Sequence, residues 1–205
     1  IHFVGIGGSG MSGIAEVLFN LGYTVTGSDK KESDITNRLT DMGIEIAYDH
    51  SASNLRRVEM VVVSSAISES NPEIKEAKKR SIPVLARAEM LSSLMNTKRG
   101  IAIAGTHGKT STTSIVASIM TEAGLDPTFI NGGIINSFNS NAQLGKGKYL
   151  IAEADESDQS FLLLQPSMSI ITNIEPDHLV NYDNNFDNLK MAFLDFVKKL
   201  PFNGI

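Results

Sequence analysis

The stretch GIAIAGTHGKTSTTSIV, residues 100–116, joins a short apolar run to a helical pattern through a glycine-rich turn. A strand, a Gly-x-x-Gly-Lys-Thr turn and a helix in this order are typical of phosphate-binding loops, because free backbone N–H groups at the helix start face the anion. The longer common pattern requires glycine at position 103, where this sequence has Ile103. The stretch is therefore either a shorter phosphate loop or a plain helix start, with Thr110 as its cap and Lys109 in solvent.

The order of strand, glycine turn, helix and strand occurs twice along the chain. In the first half, residues 1–6 (IHFVGI) lead through GGSGMSG and a helix into residues 23–29 (YTVTGSD). In the second half, residues 100–104 lead through the turn and a helix into residues 127–131 (PTFIN). The apolar spacing predicts buried helix faces formed by Met11, Ile14, Ala15, Leu18 and Leu21, and by Ile115, Val116, Ile119, Met120 and Ala123, with Gly22 and Gly124 as C-terminal caps.

Further apolar runs continue each half in the way expected of a parallel sheet covered on both faces. In the first half they are residues 60–67 and 82–87, separated by a short helix that begins at Asn71-Pro72. In the second half they are residues 148–155 and 167–174, and a last helix follows them. The predicted buried face of that helix consists of Phe186, Leu189, Phe193, Phe196, Val197 and Leu200.

These patterns predict an α/β protein with two parts. The first is a Rossmann-like N-terminal domain with a parallel sheet, and the second is a P-loop-type, mostly parallel α/β domain that binds ATP and is incomplete. We expect the boundary within residues 87–100, and assign residues 1–90 and 91–205 to the two domains. The chain ends directly after a helical pattern, which favours a fragment of a longer protein.

Composition excludes several functional classes. The chain of 205 residues has a net charge of −5 and no basic stripe, which argues against nucleic-acid binding. It contains no cysteine, so disulfides and thiol-based metal sites are excluded, and a reducing cytoplasm is the expected location. No apolar run reaches the roughly 18 residues of a membrane span, so we expect no membrane insertion.

The first glycine loop runs from Gly5 to Gly10 and fits the pattern G-x-G-x-x-G between a strand and a helix. Glycines allow the backbone to approach a diphosphate, and the helix start supplies N–H groups and positive potential. Asp29 ends the next strand, where a ribose-binding acid is expected in dinucleotide-binding proteins. The alternatives are NAD binding, binding of another diphosphate, or a tight turn without a ligand.

Acidic residues follow two strands of the second half. The strand at residues 148–153 is followed by an acidic segment, and the next strand leads to Glu175, Asp177 and His178. Ligands of open parallel sheets lie beyond the carboxyl ends of the strands, and hard oxygen ligands suit Mg²⁺. The acids of the first segment are Glu153, Asp155, Glu156 and Asp158. Solvated turn residues are the alternative for each of them, and His2 and His50 are interpreted as structural residues.

The combination of motifs resembles the Mur ligases of peptidoglycan synthesis. The residues that carry the resemblance are GTHGKTSTT, EADESDQSFL and TNIEPDHL, in that order, together with HFVGIGGSGMSGIAEVL, VTGSD, VVVSSAI, FINGG and KLPFNG. It covers essentially the whole chain. The family's loop is the shorter G-T-x-G-K-[ST], so the resemblance also accounts for Ile103.

The resemblance implies a three-domain ATP-dependent ligase whose C-terminal, amino-acid-binding domain is absent from this chain, which by itself would turn over little or no substrate. The implied cofactors are ATP and Mg²⁺. The implied ATP-binding residues are Gly105, Thr106, His107, Gly108, Lys109, Thr110 and Ser111. The implied metal ligands are Thr110, Glu153 and His178, and the implied catalytic residues are Lys109, Glu153 and His178. The implied residues for UDP-N-acetylmuramate are Gly7, Gly8, Ser9, Gly10, Met11, Asp29, Ser64, Ser65, Asn131, Gly132 and Ser157.

The resemblance further implies the reaction. The sequence is similar to the branch of the family that uses ATP to join L-alanine to UDP-N-acetylmuramate through an acyl phosphate. Several relatives carry a carbamylated lysine near the position of Phe193, and its absence here agrees with that branch. The alternatives are the related ligase that attaches a recycled tripeptide, an NAD(P)-dependent oxidoreductase, and a nucleotide-dependent switch protein. The last two leave one of the two glycine loops without a role.

Overall fold

The computed structural model describes residues 1–135, 138 and 140–205. The chain forms two compact units, Ile1–Met90 and Leu91–Ile205, each with its own sheet. The α/β class predicted from the sequence is confirmed, since the sheet of the first unit is parallel throughout and that of the second has one antiparallel strand. Among the described residues, no helix is both long and apolar enough to span a membrane.

The first unit is built on a five-stranded parallel sheet with the order β3-β2-β1-β4-β5. Its strands are β1 (His2–Val4), β2 (Thr26–Ser28), β3 (Glu45–Ala47), β4 (Val61–Val63) and β5 (Val84–Ala86). Phe3, Val4 and Val61 in the central strands are fully buried. The order reverses between β1 and β4, and open α/β sheets bind ligands at such a point. The first glycine loop follows β1 there.

The helices of the first unit begin and end at the residues that local chemistry favours. They are α1 (Ser9–Asn20), α2 (Asp34–Asp41), α3 (Pro72–Lys79) and the start of α4 (Arg87–Met95). Gly22 has a φ of +92° directly after the C-cap of α1, as a left-handed C-terminal cap requires. The Asn71 side chain accepts a hydrogen bond from the Glu73 N–H and starts α3, with Pro72 in the first turn. Leu21, predicted to be buried, is instead 46% exposed because α1 has already ended.

The second unit is built on a five-stranded sheet with the order β10-β6-β9-β7-β8. Its strands are β6 (Arg99–Ala104), β7 (Thr128–Ile135), β8 (Ser140–Gln143), β9 (Tyr149–Glu153) and β10 (Met168–Ile171). Only the β7–β8 pair is antiparallel within the described part of the chain. The carboxyl ends of β6, β9 and β10 therefore lie at one edge, and the Lys109 loop and the predicted acidic segments follow them.

The helices of the second unit correct two details of the predicted core. Helix α5 (Lys109–Glu122) buries Thr113 and Ala117, whereas Ile115 and Ile119 are 58% and 62% exposed. Val116 and Met120 of the predicted face pack against the core of the sheet together with Ala117, so the prediction is confirmed for these two residues and wrong for Ile115 and Ile119. Helix α6 (Phe186–Val197) buries Leu189, Ala192, Phe193 and Phe196, while Val197 is partly exposed and Leu200 lies beyond the helix end. Phe161, in the 3₁₀ turn Ser160–Leu163, packs on Phe193 and Phe196.

The segment expected to contain the domain boundary is not a loop. Helix α4 occupies most of it, and the division between the two units falls within this helix, after Met90. Strands β3 and β8 and helices α2 and α4 have no strong periodic pattern and were not predicted.

Candidate active site

The Lys109 loop connects β6 to α5 through two glycines with positive φ. Gly105 has a φ of +130°, and a Cβ there would lie 2.1 Å from Oγ1 of Thr172. Gly108 has a φ of +83° and is the N-cap of α5. Both positions therefore require glycine, the first for space and backbone conformation and the second for conformation. The loop places the N-terminus of α5, with its unpaired N–H groups, beyond the end of β6.

The same loop is fixed by the segment that follows β10. The Thr106 N–H donates to the Asn173 carbonyl at 3.2 Å, and the Glu175 N–H donates to Oγ1 of Thr106 at 2.9 Å. The His107 N–H donates to Oδ1 of Asn173 at 2.9 Å, and its carbonyl accepts from Oγ1 of Thr172 at 2.6 Å. The His107 imidazole is 60% exposed, with Nδ1 3.8 Å from a Glu175 oxygen. His107 therefore serves the loop through its backbone, while its side chain faces solvent.

The Lys109 ammonium points back over its own loop. Its Nζ donates to the carbonyl oxygens of Gly105 at 2.7 Å and Thr106 at 3.4 Å, and to Oε2 of Glu156 at 2.7 Å. The Lys109 and Glu156 side chains are only 15% and 1% exposed. The sequence grouped Glu156 with three other acids but did not identify it as the partner of Lys109. Nothing in the local sequence distinguishes Glu156 from those three acids.

Thr110 and Glu153, two of the predicted metal ligands, lie on either side of one pair of glycines. The Gly132 N–H donates to Oε1 of Glu153 at 2.7 Å. A Cβ on Gly132 would lie 3.0 Å from both Glu153 oxygens, and a Cβ on Gly133 would lie 3.2 Å from Cγ2 of Thr110. Glycine at 132 and 133 thus leaves room beside two side chains that carry a carboxylate and a hydroxyl. These are hard oxygen donors, which fit Mg²⁺.

His178, the third predicted metal ligand, is not joined to the other two by a direct contact. It has a φ of +53°, is half-exposed, and its Nε2 lies 3.7 Å from Oδ2 of Asp177. Within residues 1–135, 138 and 140–205, no three His, Asp or Glu side chains form a group able to hold a metal. Thr110 and Glu153 each lie beside one of two adjacent glycines, whereas His178 lies elsewhere, and the predicted set of metal ligands stays a prediction.

The acidic segment after β9 is held by the turn that follows His178. The Asn181 side chain donates to the Ser157 carbonyl at 2.7 Å, and the Tyr182 hydroxyl donates to the Glu156 carbonyl. Burial, reinforced by the charges of Glu156 and two nearby aspartates, raises the pKa of Tyr182 to about 12. Ser157, a predicted substrate residue, is half-buried, and its backbone takes part in this contact.

Asp29 contacts the first glycine loop directly. The Gly7 N–H donates to Oδ2 of Asp29 at 2.8 Å, and a Cβ on Gly7 would lie at that same distance from the oxygen. The acid predicted to bind ribose is therefore bonded to the loop. Ser64 flanks the loop, with its Cβ 3.2 Å from the Cβ position of Gly5. Ser65 is exposed.

Two predicted substrate residues have buried side chains. Met11 is 1% exposed and belongs to the core of the first unit. Asn131 is also 1% exposed, and its amide donates to Oγ of Ser114 at 3.2 Å and to the Gly133 carbonyl at 2.9 Å. Its Oδ1 is buried and has no hydrogen-bond partner among the described residues. Of these two side chains, Met11 contributes packing, and Asn131 retains an oxygen that could accept a hydrogen bond.

Arg87, which the sequence analysis did not single out, lies beside the first glycine loop. A Cβ on Gly10 would lie 3.1 Å from Cδ and 3.2 Å from Nη1 of Arg87. Gly10 is in the first turn of α1, and Arg87 is the first residue of α4, directly after β5. A guanidinium therefore adjoins the helix start to which an anion would bind. A basic residue at the end of a predicted strand was the available signal.

A second buried polar cluster in the first unit is centred on Glu73, whose side chain is fully buried. Its Oε2 accepts from Oγ of Ser28 at 2.7 Å and lies 2.8 Å from Nδ1 of His50. Its Oε1 accepts from Nδ2 of Asn54 at 2.9 Å and lies 3.1 Å from Nε2 of His2. Burial by itself raises the pKa of Glu73, but these four hydrogen bonds outweigh it and lower the pKa. His2 and His50 thus complete the hydrogen bonding of an interior carboxylate.

The fold and the two loops define a class of α/β protein with a glycine-rich turn and a helix after the first strand of each unit. Residues 1–99 match the family described as "Mur ligase family, catalytic domain", and residues 103–205 match the "Mur ligase middle domain". The chain belongs to the Mur ligase family, as the sequence motifs indicated.

Individual relatives agree with this assignment. The chain is 58% identical over all 205 residues to the UDP-N-acetylmuramate–L-alanine ligase of Trichlorobacter lovleyi, and it covers 45% of that protein. The crystal structure of UDP-N-acetylmuramate-alanine ligase MurC from Thermotoga maritima matches 97% of the chain, with a TM-score of 0.91, 36% identity and 47% of its own length covered. The UDP-N-acetylmuramate:L-alanyl-gamma-D-glutamyl-meso-diaminopimelate ligase from Neisseria meningitides matches 99% of the chain, with a TM-score of 0.90, 26% identity and 68% of its length covered. The chain thus spans about half the length of the alanine ligases that it matches.

Proposed function

We propose that this chain is the N-terminal and central part of an ATP-dependent ligase that joins L-alanine to the lactyl carboxylate of UDP-N-acetylmuramate in peptidoglycan synthesis. The Lys109 loop carries this proposal, because its ammonium and the N-terminus of α5 lie beyond the end of β6 and contact the acidic segment after β9. The 58% identity over all 205 residues to an alanine ligase supports the choice of substrates. These nucleotide substrates and the cysteine-free composition favour a cytoplasmic enzyme.

The two units have different roles in this proposal. The unit Ile1–Met90 binds the diphosphate of the UDP-sugar at the loop Gly5–Gly10, and the unit Leu91–Ile205 binds ATP at the Lys109 loop. Arg87 supplies positive charge beside Gly10, which offsets the carboxylate of Asp29 on the same loop. Asp29 itself shapes the loop through Gly7.

The chemical step is phosphoryl transfer followed by acyl transfer. A carboxylate oxygen of the muramate attacks the γ-phosphorus, the bond from this phosphorus to the ADP oxygen breaks, and an acyl phosphate forms. The alanine nitrogen then attacks the acyl carbon, phosphate leaves with the bonding electrons, and the nitrogen loses a proton. The carboxylate and the triphosphate repel each other, so neutralisation of charge is the main catalytic task.

Lys109 and the helix N-terminus perform part of this neutralisation. Thr110 and Glu153 would hold Mg²⁺, since both residues lie beside the adjacent glycines 132 and 133 and carry hard oxygen donors. Bound there, Mg²⁺ would supply positive charge to the β- and γ-phosphates. His178 stays a predicted ligand of a second ion.

Other functions have less support. The ligase that adds a tripeptide shares the fold, but the matched structure of that type is 26% identical, against 36% for the alanine ligase. An NAD(P)-dependent oxidoreductase would need Asp29 for ribose, whereas its Oδ2 already accepts from the Gly7 N–H. A nucleotide switch protein leaves the first unit without a role.

The proposal can be tested by titration calorimetry and by activity of the full-length protein. UDP-N-acetylmuramate and ATP should bind, and NADH and GTP should not. Lys109→Ala should abolish ATP-dependent acyl phosphate formation, while Lys75→Ala, at an exposed position of α3, should leave it unchanged. Binding of NADH without UDP-N-acetylmuramate, or an unaffected rate in Lys109→Ala, would contradict the assignment.

A further inference from the structure

The N–H donors of the Lys109 ammonium face three protein acceptors, two at 2.7 Å and one at 3.4 Å. A lysine ammonium carries three N–H donors, and the structure pairs it with three acceptors: the Gly105 and Thr106 carbonyls and Oε2 of Glu156. A nucleotide phosphate that binds Lys109 must therefore displace one of these acceptors.

Glu156 is the acceptor that a phosphate would replace. The two carbonyls belong to the loop itself, which the segment after β10 holds in place. Glu156 is the only charged acceptor of the three, and it belongs to a different segment. Two anions on one ammonium repel each other, so an arriving phosphate competes with the carboxylate far more strongly than with neutral carbonyls.

The Glu156 carboxylate is fixed in place and depends on Lys109. Its side chain is 1% exposed, and its Oε1 is buried without a hydrogen-bond partner among the described residues. The Tyr182 hydroxyl holds its backbone carbonyl. Separating a buried carboxylate from its cation costs free energy, and this cost is subtracted from the free energy of nucleotide binding.

We propose that Glu156 is a positioning residue that holds the Lys109 ammonium over the loop before nucleotide binds, and that yields the ammonium to the phosphate. The inference rests on the proposed function, since it takes the Lys109 loop to be the ATP site. Glu156 keeps the ammonium folded back over the loop, and it lowers the affinity for nucleotide. It also speeds the loss of ADP, because the carboxylate recaptures the ammonium.

The test is the affinity of the full-length protein for Mg-ATP and the dissociation rate of ADP. Glu156→Gln keeps the shape and an oxygen acceptor but removes the competing charge. It should bind Mg-ATP about three- to tenfold more tightly and release ADP correspondingly more slowly. A role in folding alone would not tighten binding. If the Glu156→Gln variant does not fold, Glu156→Met is measured in its place.

Asp158→Asn is the matched control. It removes one negative charge from the same segment, but Asp158 is exposed and its Oδ1 accepts from the Ser160 N–H. Its affinity for Mg-ATP should stay within about twofold of the wild type, because exposed charges are screened. Equal tightening in Asp158→Asn and Glu156→Gln would overturn the proposal, since it would show a general effect of charge.

The variant Lys109→Ala separates the inference about Glu156 from the proposal that the Lys109 loop binds ATP. The tightening by Glu156→Gln should disappear in the Lys109→Ala background, because the carboxylate acts only through the ammonium. If Lys109→Ala weakens ATP binding and Glu156→Gln does not tighten it, this inference fails and the ATP site stands. If Lys109→Ala binds ATP as the wild type does, the proposed function itself fails.

Discussion

The backbone N–H of Gly132 donates a hydrogen bond of 2.7 Å to Oε1 of Glu153. Gly132 lies in β7 and Glu153 ends β9, and these strands are parallel neighbours in the sheet. The carboxylate that we propose as a Mg²⁺ ligand is thus oriented by the adjacent strand. The bond uses Oε1, one of the two carboxylate oxygens.

Glu153→Gln should separate the structural role of this side chain from its charge. The glutamine oxygen can still accept from the Gly132 N–H, so thermal stability should change little. Loss of the charged ligand should lower the rate of acyl phosphate formation about 100-fold or more, with partial recovery at high Mg²⁺. A rate assay of the full-length protein across Mg²⁺ concentrations measures this. Glu122→Gln, at the exposed end of α5, is the control and should retain full activity.

Lys109→Ala should destabilise the protein as well as inactivate it. Removal of the lysine side chain leaves the Glu156 carboxylate buried without a cation. Breaking such a pair typically costs about 3 kcal/mol. The double variant Lys109→Ala/Glu156→Gln should recover most of that loss, because no charge is then buried alone. Denaturant unfolding of the three proteins by circular dichroism measures the effect. A double variant that is no more stable than Lys109→Ala would show that the loss of stability does not come from the broken ion pair.

Glu73→Gln should destabilise the first unit in a pH-dependent way. Hydrogen bonds from His2, Asn54, Ser28 and His50 outweigh burial and hold the pKa of Glu73 below its ordinary value of 4.5. The ionised carboxylate therefore contributes stability that is complete above pH 4.5 and is lost as the pH falls through the folded-state pKa.

The measurement is the difference in unfolding free energy between the wild type and Glu73→Gln. It should be about 2 kcal/mol at pH 7 and should shrink as the pH falls below the ordinary carboxyl value. Glu76→Gln, on the same helix and outside the cluster, is the control and should give a small difference at every pH. A difference for Glu73→Gln that grows with falling pH would contradict the assigned direction of the pKa shift.

Arg87→Ala should weaken binding of UDP-N-acetylmuramate and leave ATP binding unchanged. The guanidinium adjoins Gly10 at the start of α1, and a charged hydrogen bond to a diphosphate contributes about 1.5–3 kcal/mol, a loss of roughly 10- to 100-fold in affinity. Titration calorimetry with each ligand separates the two effects. Lys75→Ala removes the same charge from an exposed position of the first unit and should bind both ligands normally.

The sequence predicted the elements that local chemistry fixes. Both strand–glycine–helix units, the caps at Gly22 and Gly124 and the start of α3 at Asn71-Pro72 depend on residues close together in the chain. Because parallel strands end at one edge, the sequence also predicted that the Lys109 loop and the acids after β9 lie near each other. Thr110 and Glu153 accordingly flank the same two glycines.

Tertiary structure decided which of several equivalent residues acts. Four acids lie at and after the end of β9, yet only burial and the contact with Tyr182 make Glu156 the partner of Lys109. Periodicity placed Ile115 and Ile119 on the buried face of α5 with Val116 and Met120, whereas only the latter two pack on the core and both isoleucines are exposed.

His2, His50 and Glu73 meet from distant parts of the chain, so no local pattern could reveal their cluster. The sequence by itself determined the family, the α/β class and the position of the loops, because backbone conformation and apolar spacing are local properties. Ion pairing and burial depend on the three-dimensional packing of remote segments, and for that reason the tertiary structure alone assigned Glu156 to Lys109 and Arg87 to the first glycine loop.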